Sequence, residues 1–309
     1  MKKEEFKFRS TGDTVDIRAV RYIPDKKPKA VLQIAHGMVE FIDRYEEFAK
    51  FLCSKGFLVT GNDHIGHGGS VNSEADWGYF TKCNGNKILE DDIHKLTTIT
   101  KESYPDLPYF LLGHSMGSFY ARQYICDYGD ELDAVIIMGT GFEPLITVKA
   151  GMLVCRIIAL FKGWRYRSTL VNNMAFGTYN KQFEPVRTRA DWLTKDEKIV
   201  DWYVNEPRCS FLFTLNGYYN MFSGIARLHD KKLLAKIPKE LPLLFVSGQD
   251  DPVGSNGKEV QEAYQSVVDA GVNNVNIKLY PNDRHEILNE TDREQVYEDL
   301  YDWLDSKIK

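Results

Sequence analysis

A serine between two glycines is the first feature of this 309-residue chain that could carry chemistry. Residues 113–117, GHSMG, fit the pattern G-x-S-x-G, which places a serine on a sharp turn between a strand and a helix. The apolar stretch PYFLL precedes the motif, and SMGSFYARQYI, which is compatible with a helix, begins within it. This context favours a nucleophilic Ser115 over the alternative, a glycine-rich turn with a capping serine.

A serine hydroxyl becomes a nucleophile when a base takes its proton, and the base needs an orienting carboxylate. On this kind of turn the acid and then the histidine follow the serine along the chain. His229 and His285 are the two histidines after Ser115. His229 stands in a charged, surface-like stretch, whereas His285 follows the strand-like segment VNIKLY, at the strand end where open α/β sheets form their active sites. We therefore predict His285 as the base.

Two aspartates are candidates for the orienting acid. Asp250 and Asp251 both follow an apolar run at residues 243–247, so each would lie at the end of a strand. Asp251 precedes Pro252, which favours an extended backbone and a fixed side-chain direction. Asp250 could cap the turn instead. The residues alone favour Asp251 without excluding Asp250.

Acyl transfer through a tetrahedral intermediate needs two N–H donors directed at the oxyanion. One is predicted to be the backbone N–H of Met116, the residue after the nucleophile. The other is predicted to be the backbone N–H of Met38, in the loop that follows the apolar run AVLQIA at residues 30–35. Met38 could also serve only as apolar lining of a pocket.

Alternating strands and helices must position these residues. The pattern predicts two strands within the first 23 residues and then an α/β fold with a mostly parallel sheet flanked by helices. The alternation stops between about residues 143 and 236, where apolar helical segments predominate. We therefore predict a core in two parts, residues 1–142 and 237–309, interrupted by a helical cap at residues 143–236.

Composition excludes several classes of protein. The net charge is −5 and basic runs are absent, so no nucleic-acid partner is expected. Five widely spaced cysteines without a CxxC pair argue against a disulfide framework or a zinc site and suit a reducing compartment. Without an apolar leader or a membrane-length apolar run, the chain is expected to be cytoplasmic. The oligomeric state is not predicted.

Taken together, the motifs resemble the monoacylglycerol lipase and lysophospholipase group of α/β-hydrolases, which is often labelled with the serine aminopeptidase family. Four segments carry the resemblance: His36-Gly37-Met38-Val39-Glu40 with Arg44-Tyr45, Asp63-His64-Ile65-Gly66-His67-Gly68 with Ser70, Gly113 to Gly117, and Gly248-Gln249-Asp250-Asp251. The resemblance implies a capped α/β-hydrolase with its triad acid at Asp251. It also implies that His64 and His67 belong to a structural loop, so neither a metal nor another cofactor is expected. Two positions depart from the family pattern, Phe41 for a histidine and Ser118 for a glycine.

The expected activity is hydrolysis of a carboxylic ester, most closely of the monoacylglycerol type, through an acyl-enzyme on Ser115. A lysophospholipase or a peptidase of the same family is the alternative, and a non-catalytic ligand-binding protein is the alternative of another class. A phosphate-bearing substrate would call for cap arginines, for which Arg165 with Arg167 and Arg187 with Arg189 are the candidates. The apolar cap residues predict packing onto the core, or an acyl tunnel with transient contact to a membrane surface.

Overall fold

A computed structural model describes residues 1–308 of the chain. Its centre is an eight-stranded sheet with the spatial order β1-β2-β4-β3-β5-β6-β7-β8. The strands are β1 (Lys2–Arg9), β2 (Asp16–Ile23), β3 (Ala30–Ala35), β4 (Phe57–Asn62), β5 (Tyr109–His114), β6 (Ala134–Met138), β7 (Leu243–Gly248) and β8 (Val275–Tyr280). β1 and β2 form an antiparallel hairpin, and β2 pairs with β4 antiparallel. All pairs from β4 to β8 are parallel, as the alternating pattern predicts.

Helices cover both faces of the parallel strands. They are α1 (Glu46–Ser54), α2 (Gly85–Ser103), α3 (Met116–Tyr128), α9 (Lys258–Asp269) and α10 (Arg293–Asp305). Every residue of β3, β4, β5, β6 and β7 is buried, which explains why these strands are mostly apolar in sequence. One core cluster packs the sheet against α2, α3 and α9, and the other packs it against α1 and α10.

Five helices separate β6 from β7 along the chain. They are α4 (Leu145–Lys162), α5 (Thr169–Phe176), α6 (Glu197–Asn205), α7 (Leu215–Arg227) and α8 (Lys231–Leu234). α7 lies between α4 and the core and buries residues on both sides, among them Tyr218 and Met221. α4 buries little of its apolar surface, because only Val148, Cys155 and Ala159 are buried along its length.

The strands and helices that the sequence pattern predicts are present in the structure, and the predicted and observed bounds differ by a few residues. The spacing of Phe48, Phe51 and Leu52 indicates a helix over residues 45–55, and the structure forms it as α1, preceded by a 3-10 turn at Ile42–Tyr45. The apolar stripe from Ile88 to Ile99 indicates a second helix that begins at residue 87; in the structure this helix, α2, begins two residues earlier, after Asn84 adopts a left-handed conformation. No helix within residues 1–308 combines the length and apolar character needed to cross a membrane.

Candidate active site

Ser115 lies on a strained turn between β5 and α3. Its backbone angles are φ 52° and ψ −120°, a region that residues with a side chain rarely occupy. The turn is held because the Ser115 N–H donates to the carbonyl of Met138 at 2.9 Å, and Ser118 donates to the Ser115 carbonyl from its N–H at 2.8 Å and its hydroxyl at 2.6 Å. Ser118, which departs from the family pattern, therefore braces the first turn of α3 behind the serine.

The two glycines of the motif allow α3 to approach the sheet. A Cβ atom on Gly117 would collide with the carbonyl oxygen of Ala35 and lie 2.6 Å from that of His36. A Cβ atom on Gly113 would lie 2.6 Å from the Cβ of Ala121. Any larger residue at either position would push the helix away and move Ser115 from the sheet edge.

His285 and Asp251 meet at the neighbouring ends of β8 and β7. Nδ1 of His285 lies 3.0 Å from both carboxylate oxygens of Asp251. The carboxylate also accepts from the Ser247 hydroxyl at 2.8 Å and from the Val253 N–H at 2.9 Å. Burial alone would raise the pKa of Asp251, but the attraction of His285 and these hydrogen bonds outweigh it and leave the pKa below its ordinary value. The arrangement suits a carboxylate that stays ionised and orients the ring.

Three neighbours fix the imidazole plane. The ring of His285 packs against that of His114, with centroids 4.8 Å apart, and against that of Trp192, with centroids 5.0 Å apart. Gly139, with φ 60°, leaves room for the ring, because a Cβ atom there would lie 3.1 Å from Cε1 of His285. The ring of His285 is therefore packed against groups from β5 and from the segment between α5 and α6, and the glycine after β6 leaves room for it.

A buried network of charged and polar groups lies next to the loop that carries His285. It consists of Glu40, Arg44, Tyr45, His114 and Glu286, and is called here the Arg44 cluster. Arg44 donates to Glu40 at 2.7 Å and to both oxygens of Glu286 at 2.6 and 2.7 Å. Tyr45 donates to Glu40 at 2.8 Å, and Nδ1 of His114 lies 2.9 Å from the Tyr45 oxygen and 3.2 Å from Glu40 Oε1.

The Arg44 cluster connects the three loops that carry the candidate site. His114 precedes Ser115, Glu286 follows His285, and Glu40 accepts a hydrogen bond from the Gly37 N–H, next to Met38. Burial opposes ionisation of Glu40, but the hydrogen bond from His114 and the attraction of Arg44 hold its pKa well below the ordinary value. The charges are thus kept inside the protein by their mutual pairing.

Two cavities meet at Ser115. The larger of the two, of about 340 Å³, is lined by His285 and by several polar side chains, and is called the mixed cavity. Its polar lining includes Asn172, Asn173, Asn180, Arg189 and Ser210. The second, of about 150 Å³, is called the apolar cavity. Its wall includes Val148, Val154, Val171, Met174, Met221, Phe222 and Ile225. Ser115, Met38 and Phe176 line both cavities, and Met116 lines the apolar one.

His64, His67, His229 and Asp250, the other residues considered from the sequence, have different surroundings. His64 N–H donates to His36 Nε2 at 2.9 Å, and His64 Nε2 donates to the His36 carbonyl at 3.0 Å. Burial, followed by repulsion from His36, lowers the pKa of His67 to about 3, so this ring is neutral. His229 donates to the Glu143 carbonyl at 3.0 Å, and the Asp250 N–H donates to the Asp283 carbonyl at 2.9 Å. It is Asp251 that contacts His285.

Sequence reasoning did not find Trp192, Ser247 or Glu286. Trp192 lies in a segment without periodicity, so the sequence carried no signal for its contact with His285. Ser247 is the second-last residue of β7, four residues before Asp251, and Glu286 adjoins His285. For Ser247 and Glu286, the available signal was that each is close in sequence to a predicted site residue.

The family comparison decides how this geometry is to be classified. Residues 26–292 match the model of the family described as serine aminopeptidase, S33. The chain belongs to this family. Among curated proteins, it is 28% identical to the monoglyceride lipase homolog of Monkeypox virus over 93% of each chain. It is 25% identical to the monoacylglycerol lipase of Mycolicibacterium smegmatis over 99% of this chain and 98% of that one.

A structural comparison leads to the same class. A carboxyl esterase from Bacillus coagulans, solved in complex with glycerol, superimposes with a TM-score of 0.92 and 29% identity over 100% of both chains. These findings confirm the predictions of an α/β-hydrolase fold and of a monoacylglycerol lipase-like carboxylic ester hydrolase. The individual site residues and the substrate remain predictions.

Proposed function

We propose that this member of the family hydrolyses esters of the monoacylglycerol type through a Ser115–His285–Asp251 triad. The observation that carries the proposal is the position of Ser115, where the mixed cavity and the apolar cavity meet beside the paired His285 and Asp251. An ester bond held at this junction would direct its acyl chain and its alcohol into different surroundings.

In the proposed mechanism, Ser115 Oγ attacks the ester carbonyl while His285 Nε2 takes the hydroxyl proton. The backbone N–H groups of Met38 and Met116 stabilise the oxyanion. As the C–O bond breaks, His285 returns the proton to the leaving alcohol and an acyl-enzyme remains. Water then attacks this ester with His285 again as base, releasing the acid and restoring Ser115. Asp251 orients the ring and stabilises its cationic form throughout.

The two cavities support a lipid monoester as the substrate. The apolar cavity would bind the acyl chain through its aliphatic and aromatic wall. Asn173, whose amide group is exposed, would hydrogen-bond a free hydroxyl group of a glycerol moiety in the mixed cavity. Relatives named as monoglyceride lipases, and an esterase solved with glycerol, support this assignment.

The cap arginines favour a neutral alcohol over a phosphate-bearing one. Arg165 contacts Asp76 at 2.6 Å, and Arg187 pairs with Asp201. Arg167 donates to the carbonyls of Leu212 and Trp77, and Arg189 donates to Ser210. Of these four arginines, Arg189 alone lines the mixed cavity, so they do not form a cluster beside Ser115 that could bind a phosphate group.

We also propose that residues 143–236 form the cap and that its outer surface contacts lipid. Large apolar side chains stand exposed on and around α4, with Leu160 and Phe161 each 82% exposed. The others are Ile146, Leu153, Ile157, Trp164, Tyr166, Leu170 and Met174. Exposed basic side chains adjoin them, namely Lys149, Arg156, Lys162 and Arg165. An apolar patch flanked by cations suits an anionic lipid surface from which an ester substrate could enter.

The test combines a fluorophosphonate probe, which labels activated serines, with monoacylglycerols and p-nitrophenyl esters of increasing chain length. Wild type should label and hydrolyse, and Ser115→Ala should do neither. Ser54→Ala, which removes an exposed hydroxyl at the end of α1, is the matched control and should behave as wild type. A wild type that binds monoacylglycerol but neither labels nor turns over would contradict the proposal and support a ligand-binding protein.

A further inference from the structure

The turn that carries Met38 contains a strained residue. Val39, which follows Met38, has φ 56°, in the left-handed region of backbone conformation. Glycine and asparagine are the usual residues there, whereas a β-branched side chain such as that of valine crowds its own backbone. Such a conformation persists only when neighbouring groups hold it, so the contacts of this turn show what keeps Met38 in place.

One peptide group of the turn is held from the side of the sheet. Because His36 Nε2 accepts from the His64 N–H at 2.9 Å, the ring hydrogen of His36 lies on Nδ1, which donates to the Gly37 carbonyl at 2.7 Å. The carbonyl and the N–H of one peptide group point in opposite directions, so the Met38 N–H points away from His36. This N–H has no acceptor among residues 1–308. A Cβ atom on Gly37 would lie 3.0 Å from that of Ser115, which brings the free N–H close to the proposed nucleophile.

The other side of the turn is held by the proposed cap. Tyr203 on α6 donates from its hydroxyl to the Val39 carbonyl at 3.2 Å, and within residues 1–308 this carbonyl accepts no other hydrogen bond. The Arg44 guanidinium group packs over the Tyr203 ring, 4.9 Å from its centre. A second cap residue, Arg208, places its guanidinium group 3.8 Å from the centre of the Phe41 ring, two residues after Val39. The cap therefore contacts both the strained residue and the segment that follows it.

The strain of Val39 and the hydrogen bond from Tyr203 are similar in energy. Each is equivalent to about a tenfold change in an equilibrium constant. The Arg44 cluster holds the ends of the turn, because Glu40 accepts from the Gly37 N–H, but it gives no hydrogen bond to the Val39 carbonyl. Without the Tyr203 hydroxyl, a relaxed turn with Val39 at negative φ can compete with the observed one. Relaxation would rotate the neighbouring peptide groups and displace the Met38 N–H.

We infer that Tyr203 is a positioning residue, whose hydroxyl holds Val39 in its left-handed conformation and so keeps the Met38 N–H directed at the oxyanion. The inference rests on the proposed function, because it assigns a role in the proposed oxyanion hole. Tyr203 acts through Val39 and not on the reacting atoms. α6 then contributes to the rate of the reaction as well as to the wall of the mixed cavity.

The test compares wild type, Tyr203→Phe, Val39→Gly and the double variant in the hydrolysis of p-nitrophenyl butyrate. Tyr203→Phe should lower kcat about tenfold with little change in KM, because complete loss of one oxyanion donor costs about 10²–10³-fold and here the donor is only displaced. Glycine adopts positive φ without strain, so Val39→Gly alone should stay within about threefold of wild type. In the Val39→Gly background, loss of the Tyr203 hydroxyl should cost less than about threefold, because the strain that it opposes is gone.

A short alkyl trifluoromethyl ketone supplies a second measurement, because the serine adds to it and forms an oxyanion like that of the reaction. Its affinity should fall in Tyr203→Phe by the same factor as kcat/KM, and it should recover in the double variant. If Tyr203 instead hydrogen-bonded the alcohol of the substrate, Tyr203→Phe would raise KM and Val39→Gly would not restore activity. That result would overturn the inference.

The controls separate this inference from the proposed function. Tyr166→Phe removes the hydroxyl of an exposed cap tyrosine and should match wild type. Fluorophosphonate labelling of wild type reports on Ser115. If wild type hydrolyses the ester and Tyr203→Phe matches it, or loses the same factor with and without Val39→Gly, Tyr203 does not position the donor although the hydrolase stands. If wild type neither labels nor hydrolyses, it is the proposed function that fails.

Discussion

Side-chain burial differs between two regions of the molecule. One region is the loops at the carboxyl ends of the strands, and the other is the set of helices between β6 and β7. The loops bury charged and polar groups, among them Glu40, Asp251 and His285, each at most 3% exposed. α4 instead exposes large apolar groups such as Leu160 and Phe161. Both arrangements are costly in water unless something compensates them.

The compensation differs between the two regions. In the loops it is internal, because Arg44 and its partners satisfy one another within the fold. For α4 it has to come from outside, as a lipid surface in our proposal. The comparison separates the buried residues of the loops, which fix the geometry of the site, from the exposed residues of α4, which we propose contact lipid. Each of the following predictions tests one of these two groups.

The largest effect is expected from Asp251→Asn. The amide cannot stabilise a cationic His285 and favours the wrong tautomer, so kcat should fall by about 10⁴-fold while folding is retained. Steady-state hydrolysis of a p-nitrophenyl ester measures the change. Asp250→Asn is the matched control and should stay near wild type. A larger loss in the Asp250 variant would reverse the assignment of the acid.

Arg44→Met should produce the next largest effect, and mainly on stability. The substitution leaves the Glu40 and Glu286 carboxylates buried without their cation, which typically costs about 3–5 kcal/mol. Urea denaturation would measure the free energy of unfolding. Arg187→Met removes a surface pair with Asp201 and should cost less than about 1 kcal/mol. Equal losses in the two variants would show that the Arg44 cluster is no more important than a surface ion pair.

Acidification should weaken the same cluster. The folded-state pKa values of Glu40 and Glu286 lie below their ordinary value, so both carboxylates contribute stability above that value and lose it as pH falls through their folded pKa. The melting temperature should therefore drop as pH is lowered below about 4.3, the unperturbed glutamate value. Glu40→Gln should flatten this dependence. A slope that is the same in wild type and variant would assign acid sensitivity to other groups.

The smallest effect on the fold is expected from the paired substitution Leu160→Ser with Phe161→Ser. Both side chains are already in water, so the free energy of unfolding should change by no more than about 0.5 kcal/mol. Binding to anionic vesicles should weaken by about tenfold or more, because two apolar groups no longer enter the lipid. Sedimentation with vesicles measures this change. Unaltered vesicle binding would remove α4 from the proposed lipid contact.

The sequence predicted the central strands of the sheet well because β3 to β7 are buried on both faces. Residues 30–35 are a nearly continuous apolar run and residues 134–138 a continuous one for that reason. Because the central strands are parallel, the loops with Ser115, Asp251 and His285 lie at one edge of the sheet. The contact of His285 with Trp192 was beyond reach, since it joins segments far apart in sequence and Trp192 lies in no periodic element. The exposure of α4 was ambiguous too, because an apolar helix has the same composition whether it packs or faces a lipid.

The strand order also has a consequence for synthesis on the ribosome. Ser115 follows a central strand that is translated early, whereas Asp251 and His285 follow β7 and β8, the last two strands of the sheet and one of its margins. A nascent chain can fold its N-terminal part first and form the turn that carries Ser115. With the proposed triad, the nascent chain should not hydrolyse esters until β8 has emerged and docked, because Asp251 and His285 are missing from the site before then.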